Sequence, residues 1–236
     1  MHPETVWIPE LSTWGKAMSR ISGLPVGFPQ EMWPNCQLCG KPLAFIAQFE
    51  YGALHLDVKS ADILPDSIVY IFMCRNFDSQ HDCESHIGIP ENSRGTHSVI
   101  VHVPEHTNEC ARPAELPHME RGLHINGFIR KIESCPKEIA NALLFGTSNH
   151  DWPRGYTWEL HQTSSRDVYN ATKVGGVPSW IHEPFWGVTV AKWRYVMQLS
   201  DMHVLNDIRI WTTLESGRLF LLTNDDGAFE LYYQGR

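Results

Sequence analysis

The sequence predicts an α+β, strand-rich fold in which two tandem structural repeats, related by a pseudo-two-fold axis, pack into one compact unit. Three observations carry this expectation. First, Ser19-Arg20-Ile21-Ser22-Gly23-Leu24-Pro25, followed by Trp33, returns as Thr172-Lys173-Val174-Gly175-Gly176-Val177-Pro178, followed by Trp186, without a gap over fifteen positions. Second, residues 43–49 are answered by 193–199 and residues 67–72 by 217–222, and the spacing from Gln48 to Val69 equals that from Gln198 to Leu219. Self-similarity of this length is the mark of a duplicated supersecondary unit. Third, the 236 residues are 42% apolar, enough for one large core or two small ones.

The elements follow in chain order. Residues 4–20 suit a short helix. After the first glycine-proline turn, residues 43–49 alternate Leu43, Phe45, Ala47 and Phe49 on one face with Ala44, Ile46 and Gln48 on the other, a strand with at least one buried face. Residues 68–74 form a continuous apolar and aromatic run between Pro65-Asp66-Ser67 and Arg75-Asn76, which suits a strand buried on both faces. Residues 98–103 supply a further strand. The first repeat, with its cysteine knuckle, therefore spans 1–103. A connecting segment spans 104–125, and its first part, 104–117, holds three prolines among polar residues. The second repeat spans 126–236, repeats both strands and closes on a short aromatic strand over 229–233. It carries an added helix over 136–145, where Pro136 suits the first helical position, Ile139, Leu143 and Leu144 make a stripe, and Gly146 ends it.

The sharpest chemical signal is Cys36-Gln37-Leu38-Cys39-Gly40, the form of a metal-binding knuckle whose glycine relieves the tight turn. Cys39 precedes the strand 43–49 and Cys74 ends the strand 68–74. Antiparallel pairing of those strands would set Cys74 beside the knuckle, and Cys83, in the following polar loop, can return to complete four sulfurs. His81 and His86 are the alternative fourth ligands. The second copy serves as an internal control: it aligns Asn224 with Cys74 and deletes the CxxC stretch, so the three comparable cysteines are absent together. A structural Zn2+ on Cys36, Cys39, Cys74 and Cys83 is the expectation. The competing reading is four reduced thiols, with Cys74 an ordinary buried strand residue. A thioredoxin-type redox pair fits worse, because its CxxC should open a helix and here Pro42 and a strand follow.

The remaining residues narrow the function classes. A net charge of -8, with no basic run longer than two residues, argues against a general nucleic-acid binder. Nine tryptophans suit core packing, with part of that content available to a binding surface. The first twenty residues hold Glu4 and Glu10 and lack an apolar signal core, and 68–74 is too short to cross a bilayer, so a cytoplasmic protein with no membrane partner is expected. Six cysteines without a secretory signal agree with reduced thiols or metal ligands.

Seven of thirteen histidines (His81, His86, His97, His102, His106, His118 and His124) fall within 44 residues. They follow no ligand spacing, and solvated or hydrogen-bonded imidazoles are preferred to a second metal. The nucleophile-elbow serine, phosphate-loop, dinucleotide and zinc-protease motifs are absent. Asp225-Asp226 before Gly227 reads as a hairpin turn. Arg20 and Lys173 share one position in the two copies, either shaping the turn or holding an anion or carboxylate. Gln48 and Gln198, isolated amides in apolar strands, read as internal hydrogen-bond anchors.

The segments 19–25, 42–48 and 63–67, together with Thr172 to Trp180, resemble the YwqG-like bacterial proteins of unknown function. That resemblance implies a cytoplasmic, duplicated, strand-rich fold and brings no catalytic residues. Cys36, Cys39 and Cys74 beside Pro42-Leu43-Ala44-Phe45-Ile46-Ala47-Gln48 look distantly similar to the eukaryotic programmed-cell-death-2 group, whose members act as dedicated chaperones of a ribosomal protein. The expected function is a non-enzymatic module that captures a partner protein, a basic one by charge, in the manner of an immunity protein or a dedicated chaperone. The alternative is an enzyme with its site between the repeats, using His and carboxylate groups. No catalytic residue is assigned.

Overall fold

A computed structural model describes residues 2–15, 17–54, 66–75, 83, 95–116, 122–135, 171–180, 193–200, 204–205, 208–209, 217–224 and 226–234. Among these residues the fold is pure sheet rather than α+β. Twelve strands are present: β1 (His2–Ser12), β2 (Arg20–Ile21), β3 (Ala44–Glu50), β4 (Ile68–Met73), β5 (His97–His102), β6 (Leu123–Cys135), β7 (Lys173–Gly175), β8 (Arg194–Ser200), β9 (Val204–Leu205), β10 (Ile208–Arg209), β11 (Arg218–Thr223) and β12 (Phe229–Gln234). Ten belong to one sheet, while β9 and β10 pair separately. The described helical turns are two short 3-10 segments, Gln30–Met32 and Tyr51–Leu54.

The helix expected over 4–20 is replaced by β1. Its residues explain the change: Pro9 would remove a helical donor, and Val6 and Ile8 are β-branched. Val6 is fully buried and pairs with Gly175. The helix expected over 136–145 lies outside the described residues. Residues 43–49, 68–74, 98–103, 193–199, 217–222 and 229–233 are strands with ends shifted by about one residue, the usual uncertainty of strand ends.

The chain divides into two units. One, here the cysteine-bearing unit, comprises 10–127 and 230–232; the other comprises 1–9, 128–229 and 233–236. In the cysteine-bearing unit the strand order is β6-β2-β3-β4-β5. The neighbours β6/β2, β2/β3, β3/β4 and β4/β5 are all antiparallel. β3 is buried up to Glu50 and β4 along its whole length, so the alternating pattern of β3 conceals two covered faces. One face carries an aromatic cluster in which Phe28 lies 4.8 Å from Tyr70 and 5.0 Å from Phe72, and Phe72 lies 5.3 Å from Trp33 and 5.7 Å from Phe45. Such tilted and edge contacts suit the ring quadrupoles.

In the other unit the order is β12-β11-β8-β7-β1. Trp180 and Phe220 pack at 4.2 Å in its core. The β11–β12 turn forms as its sequence suggests: Asn224 Oδ1 accepts the Asp226 and Ala228 backbone N–H groups, and Gly227 takes φ +77.

The two units share local geometry. Arg20 stands opposite Gln48 and Lys173 opposite Gln198. The pairing of β3 with β4 skips Ile46, and that of β8 with β11 skips Val196, each two residues before the glutamine. In the first case Ser22 N–H reaches the bulged carbonyl of Ile46 at 2.7 Å. To do so Ser22 adopts φ +62, where the aligned position holds Gly175 at φ +69. Left-handed backbone costs a residue with a side chain about 1–2 kcal/mol, while glycine gives back part of that in unfolded-chain entropy. Ser22→Gly is therefore expected to stabilise the protein by about 0.5–1 kcal/mol, read as a higher urea midpoint at unchanged slope. A lower midpoint would refute the strain.

Candidate metal centre

The centre begins at the turn before β3. Gly40 N–H donates to Cys36 carbonyl at 2.8 Å, Cys36 N–H donates to Lys41 carbonyl at 2.8 Å, and Asn35 bridges Pro42. Gly40 has φ +73, and a Cβ there would meet nothing within 4 Å, so glycine is needed for the backbone angle rather than for space. This tight turn aims Cys36 and Cys39 to one side. Pairing of Ala44 with Met73 then brings the end of β4 alongside, where Cys74 N–H is tied to Thr96 carbonyl at 2.7 Å. The knuckle is held from the same quarter, because Gln37 N–H donates to Gly95 carbonyl at 3.1 Å.

Cys36, Cys39, Cys74 and Cys83 bring their four sulfurs within 4.8 Å of one another. Cys36 and Cys83 stand 3.8 Å apart at their sulfurs, and Cys39 and Cys74 3.7 Å apart. A disulfide needs about 2 Å, so neither pair is bonded. Four thiolates at about 2.3 Å from a tetrahedral zinc ion stand about 3.8 Å apart, which is the spacing of the two close pairs. The donor set therefore fits a metal ion of the soft, tetrahedral kind. With four protein ligands it leaves no open position for a substrate or an activated water. Cys36, Cys74 and Cys83 are buried and belong to the aromatic cluster, while Cys39 is partly exposed at its edge.

Electrostatics separate the sulfurs. Burial pushes the Cys83 thiol up to about 12, with a hydrogen bond from Cys74 working against the rise and the charge of Cys36 adding to it. Burial also pushes Cys39 up, but hydrogen bonding from the Lys41 backbone and from the sulfurs of Cys36, Cys74 and Cys83 outweighs it, and Cys39 falls below the ordinary thiol range. Burial thus favours the protonated form at Cys83, whereas the hydrogen bonds at Cys39 favour its thiolate. Metal must then displace protons to complete the set.

The other candidates disperse. His81, His86 and His118 lie outside the described residues. His106 is exposed, and His124 stands opposite Arg20 on β6. His97 is buried at the side chain and meets Glu230 through Nε2, while its Nδ1 has no hydrogen-bond partner among the described residues. No sequence signal marks that contact, whose members are 133 positions apart. Arg20 meets a carboxylate, with Nη1 donating to Glu109 Oε1 at 2.7 Å. Gln48 and Gln198 are fully buried anchors of the two turns.

Comparison of the chain with models of known protein families, with curated proteins and with solved structures finds no match.

Proposed function

We propose that the chain is a non-enzymatic protein-binding module, made by duplication of one strand-rich unit and braced in one copy by a structural zinc ion on Cys36, Cys39, Cys74 and Cys83. The duplication is supported by the shared register, bulge and glutamine of the two units, and zinc by the sulfur spacing. The resemblance to the YwqG-like proteins and to the programmed-cell-death-2 chaperone group points the same way. Five free thiols among the described residues agree with a cytoplasmic setting, and no helix of those residues is long and apolar enough to cross a membrane.

Trp14 carries the binding reading. Its side chain is 74% exposed. Its backbone is fixed on both sides, N–H donating to Ser12 Oγ at 3.1 Å and the carbonyl accepting from Asn126 Nδ2 at 3.0 Å. A Cβ on Gly15 would stand 2.2 Å from Asn126 Oδ1, so Gly15 admits the amide that holds Trp14 outward. A large aromatic kept in water by a fixed backbone is the composition of a binding hot spot. The charge of -8 favours a basic partner. Both an immunity protein and a dedicated chaperone fit that description.

Partner capture on immobilised protein, with Trp14→Ala beside the native chain, tests this reading. The native protein should retain one stoichiometric basic partner. Trp14→Ala should lose about 2 kcal/mol of that affinity, about 30-fold, at unchanged melting temperature and metal content. Equal retention by both proteins, or no stoichiometric partner, would overturn the assignment.

The second reading, an enzyme using His and carboxylate groups, draws on the part-buried meeting of His97 with Glu230. A carboxylate that orients an imidazole leaves the opposite ring nitrogen for proton transfer. It would require an activity lost in both His97→Gln and Glu230→Gln.

A further inference from the structure

The four sulfurs are unequal in access. Cys36, Cys74 and Cys83 are 1–2% exposed, whereas Cys39 reaches the surface. A solvent-borne oxidant therefore meets Cys39 first. The sulfur of Cys74 lies 3.7 Å from that of Cys39, on the strand end fixed by the Cys74–Thr96 backbone bond. Closing that gap to the about 2 Å of a disulfide asks each sulfur to move by less than about 1 Å. Cys36, the partner expected in a CxxC redox pair, is held by the knuckle bonds and faces Cys83 at 3.8 Å. Cys39 is thus the one accessible member of a set whose other three sulfurs are buried.

We propose that Cys39 is a site of oxidation by hydroperoxides, closing a disulfide onto Cys74 and releasing the metal; the release step rests on the zinc reading above. The Cys39 thiolate attacks the O–O bond, forming a sulfenic acid and expelling hydroxide. Cys74 thiolate then attacks the sulfenic sulfur, the S–S bond forms, and a second hydroxide leaves. The two sulfurs lose two electrons to the peroxide, and two solvent protons turn both hydroxides into water. With two of four ligands withdrawn, Zn2+ departs and Cys36 and Cys83 take up protons. This route differs from thioredoxin chemistry, because the resolving cysteine comes from the residue after β4 and not from the CxxC.

The experiment treats the full-length, zinc-loaded protein with one equivalent of hydrogen peroxide. Zinc release is followed with a chromogenic chelator, and disulfides are mapped by mass spectrometry without reduction, fragmenting between Cys36 and Cys39. The expected result is stoichiometric zinc release with a Cys39–Cys74 link, reversed by dithiothreitol and added zinc. Dimedone present during oxidation should label Cys39 and suppress the link, and Cys110→Ser should behave as the native chain. Zinc retained in excess peroxide, dimedone on another cysteine first, or a Cys36–Cys39 disulfide would overturn the proposal. A chain that holds no zinc before oxidation would refute the metal reading and the release step. The same mapping on the reduced, metal-free chain then decides the pairing alone.

Discussion

Cys74→Ser is expected to abolish zinc retention and to unfold the cysteine-bearing unit. Serine cannot supply a thiolate, and three ligands hold a structural ion poorly. The binding free energy of such an ion is about 10–16 kcal/mol in small zinc domains, as large as the whole stability of an ordinary domain, about 5–15 kcal/mol. The consequence reaches beyond the ligands because Cys36, Cys74 and Cys83 lie in one cluster with Phe28, Phe45, Tyr70 and Phe72, and Trp33 packs against it. Elemental analysis of untagged protein should give one zinc per native chain and none for Cys74→Ser. Hydrogen exchange should show protection lost over 28–49 and 68–74. Cys110→Ser is the control: Cys110 is equally a buried thiol, but its sulfur donates to Phe28 carbonyl outside the ligand set, and its loss should cost about 1 kcal/mol. The pH dependence has a fixed sign. Zinc must displace the proton that burial holds on Cys83, whose thiol is pushed up to about 12, so retention weakens as pH falls and strengthens as it rises. Native-like melting of Cys74→Ser, with no zinc in the native protein, would return the four cysteines to ordinary thiols.

The centre was legible in sequence because two local facts determine it. A CxxC-Gly knuckle fixes its own turn, and two apolar runs of matched length invite antiparallel pairing that sets Cys74 beside Cys39. The strands read easily where apolar residues run together, as in β4 and β11. β6 is hidden in the sequence for the opposite reason: His124, Asn126, Gly127, Arg130 and Lys131 interrupt its apolar pattern, and Ile129 and Ile132 are 47% and 55% exposed. β2 and β7 look like turns in sequence because they contribute only two or three residues each to the sheet. β1 looks helical in sequence because it pairs with β7, 169 positions away at Val6–Gly175, a contact that no local window contains. The same applies to His97 with Glu230. What local chemistry writes can be read locally, and pairings between strands far apart in the sequence cannot.

Gln48→Met and Gln198→Met should each destabilise the protein by about 2–5 kcal/mol, the largest effect expected from a substitution outside the metal ligands. Methionine keeps the length of glutamine and its volume, so little cavity or clash enters the comparison. What is lost is a set of buried bonds. Gln48 Oε1 accepts Val26 N–H at 2.8 Å, and Nε2 donates to Met18 carbonyl at 2.7 Å and to Val26 carbonyl at 3.2 Å. Tyr70 hydroxyl also donates to Val26 carbonyl at 3.0 Å, so that group keeps a partner, while Val26 N–H and Met18 carbonyl are orphaned. Each buried polar group left unpaired costs about 1–3 kcal/mol. In the other unit Gln198 Oε1 accepts Ser179 N–H at 2.9 Å and Nε2 donates to Ala171 carbonyl at 2.8 Å, again two backbone groups on either side of a turn. One amide thus fastens the residue before the short strand to the residue after the turn, and the strand cannot detach without breaking both bonds. Urea unfolding monitored at unchanged slope measures the cost. A loss below about 1 kcal/mol in both variants would mean that water replaces the amide and that the glutamines are not the anchors of the two turns.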